Sequence, residues 1–112
     1  MSLDFGLNIK IDTGGQELYS VDLFSGNCTH NMQPMWKKAG VLDALYESHG
    51  AMAGTIIVVL TQGEQHMREH KHEFLPLEPS NGWGTYAGAM DFLQNVLQAC
   101  REHPNAIISI SR

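Results

Sequence analysis

Leu7, Ile9 and Ile11 interleave with Asn8, Lys10 and Asp12, the period of a strand with one buried face. Thr13-Gly14-Gly15-Gln16 follows as a turn. The alternation of Tyr19, Val21 and Leu23 with Ser20 and Asp22 then predicts that Glu17 to Phe24 returns as the second arm of a hairpin. After the polar stretch Ser25 to Asn31 the period changes: Met32, Met35, Trp36, Ala39, Leu42 and Leu45 fall on one face of a helix. Asn27 or Thr29 is its expected N-cap, because a short oxygen-bearing side chain can accept from an otherwise unpaired backbone N–H. Gly40 lies inside this pattern, where it costs roughly 1 kcal/mol relative to alanine, and close approach of a neighbour is expected there. Ser48-His49-Gly50 ends the segment.

A second helical pattern spans about Ala51 to Glu73 through Ile56, Leu60, Gly63, Met67 and Phe74. Its β-branched run, Thr55 to Val59, suits a strand on propensity alone. The helical period continues from Gln62 to Glu73 without a turn signal, so helix is expected throughout. A loop with Pro76 and Pro79 then leads to Asn81-Gly82-Trp83-Gly84, where glycines on both sides of an indole favour a sharp turn. Beyond it, Tyr86, Ala89, Met90, Leu93, Val96, Leu97 and Cys100 trace an amphipathic stripe, with Thr85 as N-cap and Pro104 just past the end. Ala106 to Ser111 alternates again and gives a last strand.

The order ββαααβ predicts an α+β fold, a three-stranded sheet covered by three helices on one face, as a single domain over residues 1–112. If successive elements reverse direction, one rim collects the Ser25–Asn31 loop, the Leu75–Gly84 loop, Arg112 and the N-termini of the first and third helices. Such N-termini favour anions. On this rim Asn27, Thr29, His30, Asn31 and Asn81 would supply donors and acceptors. Trp83 and Tyr86 would supply aromatic surface, and Arg112 a cation.

Composition narrows the setting. The formal charge of −5 argues against general nucleic-acid or anionic-membrane binding, which reward basic surfaces. No apolar run approaches the roughly 20 residues that cross a bilayer, and the first residues lack a signal-peptide pattern, so a cytoplasmic protein is expected. Cys28 and Cys100 are expected as reduced thiols, on the order of 22 Å apart if the first sits at the rim and the second four turns down a helix.

Several segments together resemble a family of small uncharacterised proteins found in bacteriophages and prophages: Asn27-Cys28-Thr29-His30-Asn31-Met32, Met35-Trp36-Lys37-Lys38-Ala39-Gly40, Pro79 to Tyr86, Phe92 to Cys100 and Ile110-Ser111-Arg112. The resemblance implies a phage-like setting and no particular activity. The histidine-rich run His66, His70 and His72 departs from it.

Chemical motifs are sparse. His66, His70 and Glu73 share helical spacing, but the glutamate that follows the first histidine in zinc-protease helices is missing, and a solvated charged face accounts for the run, with no metal expected. Cys28 and His30 raise nucleophilic catalysis without an orienting acid. No phosphate-binding or dinucleotide glycine motif occurs, and no cofactor is expected. Met32, Met35 and Trp36 suit the core. The expected function is a small non-enzymatic binding protein whose rim takes a compact polar ligand with a flat ring, such as a nucleotide. In a phage setting it would sequester a nucleotide-derived immune signal. A protein inhibitor of a host enzyme and a small nucleotide hydrolase are the alternatives; a homo-oligomer in which a second copy completes the pocket is an open option, with no interface legible in the sequence.

Overall fold

A computed structural model of the chain describes residues 1–15 and 18–112. Gln16 and Glu17, at the end of the expected turn and the start of the second arm, lie outside the described residues. Strand β1 (Ser2–Asp12) pairs antiparallel with β2 (Leu18–Thr29), from Ser2 opposite Thr29 to Asp12 opposite Leu18. Its other edge pairs antiparallel with β3 (Ile107–Ser111), but only from Asp4 to Asn8. The sheet order is β2-β1-β3.

Both arms of the hairpin run further than the apolar alternation of Leu7 to Ile11 suggests. Leu3 and Phe5 extend the buried series upstream of Leu7, and the ladder carries the polar Ser25–Thr29 stretch into β2 opposite them. That stretch is therefore strand up to Thr29, where a loop was expected. One face of the sheet buries Leu3, Phe5, Leu7, Cys28 and Ile108, and the helices cover it. The other presents Asp4, Gly6, Asn8, Ser109 and Ser111.

The helical part keeps the expected order but divides further. α1 (Gln33–Ala39) stops at Gly40, which takes the left-handed conformation at φ 79° and donates its N–H back to the Lys37 and Trp36 carbonyls. α2 (Leu42–Tyr46) follows, so Gly40 is a C-terminal stop and not an interior glycine. A Cβ at Gly40 would meet nothing within 4 Å. The close approach occurs at Gly63 instead, where an added Cβ would overlap the Val41 side chain. The next segment opens as a 3-10 turn over Ala53–Ile56 and becomes α3 (Ile57–Glu69), so the β-branched run is helical. A break at His70 separates the short α4 (Lys71–Phe74). α5 (Tyr86–Glu102) has the expected N-cap: the Thr85 hydroxyl oxygen accepts from the Gly88 N–H at 3.1 Å.

The core joins the strand residues above to Met35, Trp36, Leu45, Leu60, Met67, Phe74, Leu93 and Val96, all fully buried. The Met35-Trp36 pair is thus core, as the helical stripe predicted. Both cysteines are buried and unpaired. No helix among the described residues is long and apolar enough to cross a membrane.

Candidate functional site

The strand ends build the rim. Asp4 stands between Asn27 on β2 and Ser111 on β3, so the last residues of both outer strands and the first of β1 share one end of the sheet. The Asn27 amide donates to the Asp4 carboxylate at 2.7 Å, which fixes it as a strand residue and not a helix cap. Thr29 takes the capping role: its hydroxyl oxygen accepts from the Asn31 N–H and starts the 3-10 turn His30–Met32.

The Trp83 loop sits on this turn. Gly82 and Gly84 have φ of 78° and 109°, a region open to glycine at little cost. A Cβ on Gly84 would come within 3.3 Å of the Asn31 Cβ and 3.4 Å of the Thr29 Cγ2, so only glycine lets the loop pack this closely. The Asn81 side-chain oxygen accepts from the Trp83 N–H at 3.0 Å and closes the turn. Trp83 itself remains 71% exposed. An open cleft of about 720 Å³ lies between these segments, with Asn27, Thr29, Asn31, Asn81, Trp83 and Gly84 among its walls.

A second cleft, about 810 Å³, shares Asn31 with the first. His30, Gln33 and Lys37 give it polar groups, and Pro34, Leu42, Leu77 and Pro79 an apolar wall. Both volumes fall in the range of small-molecule sites. Gln33, Pro34 and Lys37 follow from α1 turning Met35 and Trp36 inward, so helical spacing carried a signal for them that the motif-based reading passed over.

The rim residues expected from sequence do not all converge. Tyr86 is buried and its hydroxyl donates to the Met67 carbonyl at 2.7 Å, which turns it away from the clefts. Burial, then the nearby Glu64 charge, raises its pKa. Arg112 is engaged elsewhere: its guanidinium donates to the Glu47 carboxylate at 3.1 Å and lies over the Tyr46 ring. The expected anion site at the third helix is also taken. The Glu78 carboxylate accepts from the Tyr86 N–H at 3.0 Å and Thr85 caps Gly88, so an acidic side chain already stands at the start of α5. Nothing in the local sequence marked Glu78 for this, since it acts across eight residues.

His30 and Cys28 do not form a catalytic pair. His30 Nδ1 lies 3.0 Å from the Tyr46 hydroxyl and 3.2 Å from the Gln33 amide nitrogen. With Nδ1 as the unprotonated ring nitrogen, its single lone pair accepts from the nearer Tyr46 hydroxyl or from the Gln33 amide. Nε2 then carries the proton and has no partner among the described residues. The Cys28 thiol is pushed up to about 11: burial dominates, and the Asp4 charge adds to it. It is protonated at neutral pH and is a poor nucleophile.

The histidine run forms no cluster of metal-ligating type among the described residues. His66 and His70 stack at 4.5 Å, His70 Nδ1 lies 3.0 Å from the His66 carbonyl oxygen, and Glu73 pairs with Lys38. Comparison of the chain with protein-family models, with curated proteins and with solved structures found no match.

Proposed function

We propose that the rim is a binding site for a small polar ligand with a flat ring, of nucleotide type, which the protein holds and does not convert. The observation that carries this reading is Trp83: a tryptophan whose backbone is fixed by an Asn81 turn between two left-handed glycines, with the side chain 71% exposed over an amide-lined cleft. Packing alone does not call for that arrangement, since a core tryptophan is buried as Trp36 is. Ring stacking on an indole is worth about 1–3 kcal/mol. Groups with spare hydrogen-bonding capacity line the same cleft: the Asn27 side-chain oxygen, the Thr29 hydroxyl proton, the Asn31 amide and the Asn81 NH₂.

The phosphate end takes a different partner from the one the sequence suggested. With Arg112 bound to Glu47 and Glu78 at the start of α5, the Lys or Arg side chain that lines either cleft among the described residues is Lys37, in the second cleft and one turn along α1 from Gln33. A ligand that stacks on Trp83 and passes Asn31 would present its phosphate to Lys37. Sequestration is favoured over hydrolysis because the Cys28 thiol at the rim is protonated and His30 is engaged with Tyr46. The phage-like setting rests on the sequence resemblance. In that setting the captured molecule would be a nucleotide-derived immune signal of the host.

Retention followed by release tests this reading. The protein is incubated with cyclic di- and trinucleotides, freed of unbound ligand, heated, and the supernatant analysed. Intact nucleotide is the expected result, altered nucleotide would show an enzyme, and no retention of any of them would overturn the reading. Trp83→Ala should weaken retention roughly fivefold to 150-fold, the range that loss of one stacked ring implies.

A further inference from the structure

We propose that the protein forms a two-fold dimer in which the hairpin arm pairs edge to edge with the arm of a second copy. The arm lies at the end of the sheet opposite the rim clefts.

The arm is the part of β1 and β2 that β3 does not reach. Past Asn8, β1 pairs only with β2 among the described residues, through Ile9 with Val21, Lys10 with Ser20, Ile11 with Tyr19 and Asp12 with Leu18. An isolated two-stranded ribbon is at best marginally stable in water. Yet this one continues the core-facing alternation beyond the helices, leaving Ile11 42%, Tyr19 65% and Val21 37% exposed on one face. The projection gives the molecule a 53 × 27 × 18 Å outline and a radius of gyration of 15.0 Å, against about 13 Å for a compact chain of this length. Sequence periodicity therefore builds a buried face where the monomer has nothing to bury it.

Charge decides which edge and which partner. Lys10 and Asp12 flank Ile11 on the polar side of β1. When two such edges pair antiparallel about a two-fold axis at Ile11, Lys10 of each copy stands opposite Asp12 of the other, and Ile11 meets its own counterpart on the apolar side. Opposite charges placed directly across a ladder are stabilising, and like charges are destabilising. The outer edge of β2 offers no such match: from Leu18 to Thr29 its only charged residue is Asp22, which would meet no cation.

The register also fits the space. It joins Ile9 to Thr13 of the second copy and begins one residue after β3 leaves the edge at Asn8. The result is a four-stranded ribbon, β2-β1-β1-β2, with a row of Tyr19, Ile11, Ile11 and Tyr19 across its apolar face. Open strand edges are ready templates for this kind of addition.

Sedimentation tests the pairing. The wild-type chain should run at twice the chain mass. Lys10→Glu alone leaves four acidic groups around the axis, Asp12→Lys alone leaves four basic ones, and each should run as a monomer. Mixed, the two variants regain a complementary set, because both acidic groups of one copy then face both basic groups of the other, and the double mass should return. Asp12 also accepts from the Gly14 N–H in the turn, so Ile11→Lys serves as a variant that leaves the turn intact and should likewise be monomeric, with circular dichroism confirming the fold. A monomeric wild type, a dimeric Lys10→Glu, or a mixture that stays monomeric would each overturn the proposal.

Discussion

At the scale of single residues, burial and hydrogen bonding decide what the reactive groups can do. Cys28 and Cys100 are both pushed up to about 11, in each case chiefly by burial. Folded protein should therefore leave a thiol reagent unconsumed at pH 8, and both thiols should react once denaturant is added. Glu64 behaves in the opposite sense. Hydrogen bonds from Arg68, against a smaller cost of burial and with help from Gln94, hold its carboxyl below the usual range. A depressed carboxyl contributes stability that is complete above its ordinary pKa and disappears as pH falls through that range. The melting temperature of wild type should exceed that of Glu64→Gln at pH 7, and the gap should close as pH approaches the acid limit. Arg68 is largely exposed, so the gap at neutral pH should be modest. Gly63 is a packing residue: a methyl there must displace Val41, and Gly63→Ala should cost about 1–3 kcal/mol in urea unfolding, the usual penalty of overpacking.

At the scale of elements, the sequence was informative where period and burial agree. Leu7, Ile9 and Ile11 marked β1, and the stripe from Tyr86 to Cys100 marked α5 along with its Thr85 cap. The α+β class followed from that order. What escaped is set by geometry that spacing does not encode. Leu42 and Leu45 keep the helical period of α1, yet the left-handed Gly40 interrupts the helix before them. Gly40→Ala should cost about 1–2 kcal/mol through strain at positive φ, with no new contact to offset it, a value that chemical denaturation would measure. The polar stretch before Thr29 looked like loop because its pairing partner, the first residues of β1, supplies hydrogen bonds and not hydrophobic pattern. Of the rim residues, Asn27, Thr29, Asn31, Asn81 and Trp83 do line one cleft, since chain direction alone brings those segments to one end. Tyr86 and Arg112 were assigned by end of element, which fixes neither where a side chain turns nor that Met67 and Glu47 claim them. Lys37 was legible by contrast, because the helical spacing that turns Met35 and Trp36 inward leaves it on the outer face of α1.

At the scale of the whole molecule, the sheet separates two surfaces. The rim clefts lie around Asn27 and Asn31, and the hairpin arm extends from the other end, with Asp12 about 26 Å along β1 from the Asp4 row at 3.3 Å per residue. A dimer joined at the arms would therefore hold its two clefts at the outer ends, facing away from one another. Ligand binding should be unchanged by Ile11→Lys, and assembly should be unchanged by Trp83→Ala. The two tryptophans give the most direct readout of the central claim, because Trp36 is fully buried and Trp83 is exposed at the cleft. Tryptophan emission is followed while cyclic di- and trinucleotides are titrated into wild type and Trp83→Phe. Saturable quenching of the solvent-exposed component in wild type, absent in Trp83→Phe, is the predicted result. Emission that no nucleotide alters, or quenching that survives the loss of Trp83, would contradict it.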